Sequence, residues 1–78
     1  MPAIDRFKGI SIRVYNGEHP PPHIHACCRE HEALIEIDTG RVLGGHLPPK
    51  QLRHIRDWLK ENAGWAKNVY RELNPQLR

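Results

Sequence analysis

An α+β fold, with a small antiparallel sheet of three to four strands carrying two C-terminal helices on one face, is predicted by three features of this sequence. Apolar and polar residues alternate through the first half. Turn-forming residues interrupt the alternation at short intervals, and after Gly44-Gly45 the apolar spacing changes from that of a strand to that of a helix. The 78 residues make one domain, 1–78, without internal repeats or an interdomain linker.

The elements follow in order. From Gly9 to Tyr15, Ile10, Ile12 and Val14 fall on one side and Ser11, Arg13 and Tyr15 on the other, as in a half-buried strand. Asn16-Gly17 turns the chain, Pro20-Pro21-Pro22 holds it extended, and a second strand runs from about His23 to Cys28. Glu32 to Asp38 alternates again, with Ala33, Ile35 and Ile37 inward and Glu32, Glu36 and Asp38 outward; Leu34 is the exception. Thr39-Gly40 leads into a short fourth strand, Arg41 to Leu43. Pro48-Pro49 suits the first turn of a helix, and Leu52, Ile55 and Leu59 continue it at helical spacing. Asn62 and Gly64 are expected to end or kink this helix. A second helical segment, Trp65 to Leu73, then places Trp65, Val69 and Leu73 on one stripe until Pro75 stops it. Trp58 and Trp65 are expected to plug the helix–sheet core or its edge.

Size and charge narrow the functional classes. A chain this short buries a marginal core, which favours a homodimer or a bound partner protein. The two cysteines are adjacent and close no long loop, and no apolar run reads as a signal peptide or membrane span, so a reduced cytoplasm is the expected location. A formal charge of +3 is weak support for nucleic-acid binding. Lys50, Arg53, Arg56 and Lys60 form a basic helix side that Asp57 and Glu61 dilute, as on an ordinary solvated face.

Chemistry concentrates in His23-Ile24-His25-Ala26-Cys27. On a strand, His23, His25 and Cys27 project together while Ile24, Ala26 and Cys28 join the core. The histidines therefore share the sheet face away from the helices with Arg13, Tyr15, Glu32 and Glu36. If the apolar sets stay together, His23 faces Glu36 or Asp38, and His25 faces Leu34 or Glu36. Three uses suit this face. It can be a binding surface, carried by Arg13, Tyr15, His23, His25 and Glu36, for a protein or nucleic acid. It can cleave a phosphodiester, with His23 and His25 as catalytic base and acid. It can bind metal through His23 and His25, about 7 Å apart at Cα, completed by His19, Cys27 or a facing carboxylate. No cofactor and no tightly held structural zinc are expected, because there is no second ligand pair. Against all three stands a plain solvated surface, which also describes His31, His46 and His54. Cys27-Cys28 reads as a pair of small hydrophobes rather than a redox couple.

The opening Met1-Pro2-Ala3-Ile4-Asp5-Arg6-Phe7-Lys8-Gly9-Ile10, the block His19-Pro20-Pro21-Pro22-His23-Ile24-His25-Ala26 and the Leu47-Pro48-Pro49 lead into an Arg-Trp helix resemble the small bacterial family catalogued as domain of unknown function 4160. The resemblance spans almost the whole chain, and its Pro-Pro-His-x-His-Ala core is distinctive. It implies a component of a toxin–antitoxin-like pair, with a small partner protein encoded in the same operon and RNA or DNA as a further partner class. The chain departs from the family pattern at Cys27-Cys28-Arg29, so the resemblance assigns Cys27 no ligand role. The leading expectation is a protein- or nucleic-acid-binding module; the alternative is a ribonuclease-like or metal-assisted phosphodiesterase.

Overall fold

In the computed structural model, which describes residues 3–75, five strands form an antiparallel meander and one long helix follows. The strands are β1 (Ala3–Phe7), β2 (Ile10–Arg13), β3 (His23–Cys28), β4 (His31–Glu36) and β5 (Val42–Gly45), and the helix is α1 (Pro49–Leu73). Each strand pairs with the next in sequence, so β3 is central and β1 and β5 are the edges.

The alternation read from the sequence sets the two faces. Ile10, Ile12, Val14, Ile24, Ala26, Cys28, Ala33, Ile35 and Ile37 are buried together beneath Ile55, Trp58, Leu59, Ala66 and Tyr70 of α1. The register couples the strands so that apolar meets apolar, with Ile12 opposite Ala26 and Ile24 opposite Ile35. His23 consequently faces Glu36 and His25 faces Leu34 on the other side of the sheet.

Three sequence expectations need correction. The sheet has five strands rather than three to four, because Ala3–Phe7 pairs with β2 at the edge. This strand carries little period-two signal. Its register shifts between Ala3 and Asp5, and only Ile4 and Phe7 pack against the core. Lys8 and Gly9, at φ of 51° and 80°, form the two-residue loop whose left-handed backbone matches the twist of a hairpin. The fourth predicted strand, Arg41 to Leu43, is displaced and appears as Val42–Gly45. Gly45 allows this edge to close: at φ 74°, an added Cβ would lie 2.1 Å from the Glu32 carbonyl oxygen.

The third correction concerns the helices, which are one rather than two. Gly64 lies outside the left-handed region, the conformation a helix-ending glycine adopts. Asn62 donates its side-chain amide to the Trp58 carbonyl one turn earlier, at 2.9 Å, and so reinforces the helix. Because the helix is unbroken, its apolar phase runs on from Ile55 and Leu59 to Ala66 and Tyr70. Trp65, taken as the start of a new stripe, is 47% exposed, whereas Val69 and Leu73 are half-buried at the stripe's edge.

Hydrogen bonds from α1 reach several loops and an edge strand. Trp58 Nε1 donates to Asp5 Oδ2 at 2.8 Å, which holds the Asp5 carboxyl below its ordinary range, with the Arg6 backbone amide adding to the effect. Arg56 Nε donates to the Gly40 carbonyl at 2.9 Å, and Lys67 pairs with Asp38 at 2.8 Å. Part of the predicted basic face is thus tied back to the sheet. Since Gly64 is helical and nothing lies within 4 Å of its missing Cβ, Gly64→Ala should raise stability by about 0.5–1 kcal/mol in urea unfolding. A loss of stability would mark Gly64 as the break between two helices.

Candidate functional site

The face opposite α1 gathers its chemistry around β3. Strand parity sends His23 and His25 to this side, and their ring centroids lie 5.5 Å apart. The sequence predicts open, solvated imidazoles; instead His23 is only 6% exposed, and the His25 side chain 12%. Their cover comes from the segment between β2 and β3 and from the last turns of α1. Tyr15 sets its ring edge-on to His25, with centroids 4.6 Å apart, and Tyr70 lies 5.7 Å from the His23 ring.

Glu18, on the same segment, supplies the carboxylate at the centre. Its Oε1 contacts Nε2 of His25 and lies 3.3 Å from Nε2 of His23. The outer ring nitrogens are also engaged: His23 Nδ1 is 2.8 Å from the Pro21 carbonyl oxygen, and His25 Nδ1 is 2.9 Å from Glu32 Oε2. The contact with His25 is the main reason the Glu18 carboxyl stays below its ordinary range; burial opposes it, and the His23 contact adds to it.

Glu18 sits in a loop, yet its backbone is fixed at both groups. Its N–H donates to Asn74 Oδ1 at 2.8 Å, and its carbonyl accepts from the Tyr70 hydroxyl at 2.7 Å. Asn74, fully buried just past α1, also donates from Nδ2 to the Tyr15 and Tyr70 carbonyls at 3.1 and 2.9 Å. One side-chain amide thereby pairs three backbone groups, the Tyr70 carbonyl in a fully buried bond and the other two in partly buried ones. The end of the helix on one side of the sheet positions the carboxylate on the other.

The remaining predicted site residues divide. Arg13 pairs with His25 across β2 and β3, and its buried Nε has no hydrogen-bond partner among the described residues. Glu36 faces His23 in the register, but its carboxylate accepts from the Thr39 hydroxyl at 2.7 Å. His19 is exposed and stands apart from the cluster. Cys27 shares the face without joining it, and burial, followed by the charge of Glu32, pushes its thiol pKa up. Of the predicted ligands, His23 and His25 come together, and the described residues that could hold a metal ion with them are completed by Glu18, all ligand atoms lying within 4.8 Å of one another.

The family described as Domain of unknown function (DUF4160) matches residues 9–68, and the chain belongs to it. No curated protein and no solved structure matches the chain significantly. The matched span includes Glu18, His23 and His25 but ends before Tyr70 and Asn74, the residues that position Glu18.

Replacing Asn74 by Ala should cost about 1–3 kcal/mol in chemical denaturation, since it removes the partner of the buried Tyr70 carbonyl and of partly buried backbone groups of Glu18 and Tyr15. An unchanged midpoint would mean that the loop is held by other contacts.

Proposed function

We propose that the chain is a binding module, one component of a toxin–antitoxin-like pair, which docks a small partner protein through the sheet face that α1 leaves uncovered. The observation that carries this reading is Arg13. Its Nε is buried without a hydrogen-bond partner, and Arg13 forms no ion pair among the described residues. Arg13 is half-buried, and Nε alone is on the inaccessible side, so the terminal guanidinium nitrogens stay open to a carboxylate from a docked partner. Tyr15, half-buried over His25 beside it, supplies aromatic surface of the kind interfaces favour.

The same face argues for protein over nucleic acid. Glu18, Glu32 and Glu36 place three carboxylates around the histidines, where a phosphate backbone would meet like charge. The phosphodiesterase alternative has less support, because all four ring nitrogens of His23 and His25 already face internal partners, which compete with a substrate for them.

The test is co-expression with the protein encoded beside this chain, followed by affinity measurement on purified variants. Arg13→Ala should weaken the complex by at least about 2 kcal/mol, roughly thirtyfold, as expected for a central arginine anchor, and leave the melting temperature nearly unchanged. A complex of unaltered affinity in both Arg13→Ala and Glu36→Ala would remove the docking face assigned here. RNA cleavage by the isolated chain, abolished in His25→Gln, would favour the enzyme.

A further inference from the structure

The innermost atoms of the histidine cluster need a cation between them, either protons on the rings or a metal ion. A backbone carbonyl can only accept, so the 2.8 Å contact with Pro21 places the proton of a neutral His23 ring on Nδ1. His25 Nδ1 lies 2.9 Å from the Glu32 carboxylate, which holds the Nδ1 proton whenever Nε2 is given over to another cation; with both nitrogens facing carboxylates, the free ring can be protonated at either. With both rings protonated on Nδ1, their Nε2 lone pairs turn toward one carboxylate oxygen, Glu18 Oε1, and only a ring proton or a metal ion between them can hold the three atoms together. Three lone-pair donors converging in a half-buried site repel one another unless a cation lies among them.

We propose that Glu18 Oε1, His23 Nε2 and His25 Nε2 bind a divalent first-row transition-metal ion, zinc in the first instance. The proposal goes beyond the docking reading and does not depend on it. Two imidazoles and one carboxylate form a nitrogen-rich donor set that suits zinc and its neighbours rather than magnesium or calcium. Ligand atoms about 2.0–2.1 Å from a tetrahedral ion stand about 3.3–3.4 Å apart, the separation found between His23 Nε2 and Glu18 Oε1; His25 Nε2 stands closer to Glu18 and moves outward as the ion enters.

The surroundings have the form of a metal site's outer layer. Ligating histidines donate their other N–H to a carbonyl or carboxylate, the roles of Pro21 and Glu32 here. Glu18 is positioned in advance by Asn74 and Tyr70, so its backbone needs no ordering when the ion enters. Three protein ligands leave a coordination position open, as in exchangeable rather than purely structural zinc sites. The Glu18 side chain is 30% exposed, which gives the ion a route in.

The experiment uses the whole chain, purified without a histidine tag and stripped with chelator, titrated with zinc by calorimetry and with cobalt by visible absorption. The expected result is one equivalent of either ion, a cobalt spectrum of tetrahedral type and a zinc-dependent rise in melting temperature. Glu18→Gln and His25→Gln should abolish all three, while circular dichroism shows the metal-free variants folded. Glu32→Gln, which changes only the outer layer, should keep one equivalent at about 10–100-fold lower affinity. His46→Gln should bind as the wild type does; its ring pairs with His31, at 5.6 Å between centroids, outside the site. Folded wild-type protein that takes up neither ion would overturn the proposal and leave protons as the cation between the rings. Uptake unchanged in Glu18→Gln and His25→Gln but lost in His46→Gln would overturn it equally, by moving the metal elsewhere.

Discussion

The backbone of Glu18 is gripped at both its N–H and its carbonyl by the last turn of α1 and the residue just past it, and the chemistry of the uncovered face depends on that grip. The segment from Val14 to Pro22 has no ladder of its own. Left alone it would be an exposed loop stiffened only by prolines. Asn74 and Tyr70 convert it into a cover that sets Tyr15 against His25 and brings the Glu18 carboxylate to both imidazoles. The helix packs on the opposite side of the sheet, so burial of its apolar stripe and assembly of the polar cluster belong to one cooperative event.

This coupling suits a small chain. The core is built largely from isoleucines on β2, β3 and β4 closed by one helix, and few residues are available to anchor loops independently. Asn74 pairs three backbone groups, and Glu32 serves twice, its backbone carbonyl receiving His46 N–H at 3.0 Å while its carboxylate orients His25. The close approach at Gly45 admits β5 beside that same residue. The edges therefore contribute to the site as well as to the sheet.

Much of the sheet was legible in the sequence, because period-two alternation is a direct consequence of strand geometry. It placed His23 and His25 on one face and limited their cross-strand neighbours to pairs that include the observed Glu36 and Leu34. What lay outside its reach depends on tertiary contact. β1 is an edge strand with an irregular register and little alternation to detect. Gly64 resembles a helix end by residue type, but here the packed stripe outweighs a penalty of about 1 kcal/mol. Glu18 and Asn74 are 56 positions apart, and no local pattern joins a loop carboxylate to an amide beyond the helix. The sequence reading looked for the third ligand on the facing strand or at His19 and Cys27. An acidic residue just ahead of His19-Pro20-Pro21-Pro22-His23 was the only available signal, and by itself it carried no direction.

The account turns on which ring nitrogens of His23 and His25 face the Glu18 carboxylate as lone pairs. Long-range proton–nitrogen correlation NMR on the zinc-loaded protein reads this directly. The account predicts that both rings carry their proton on Nδ1 and that zinc shifts both Nε2 resonances, while the rings of His31 and His46 stay as they were. A proton on Nε2 of either ring, unmoved by zinc, would contradict it.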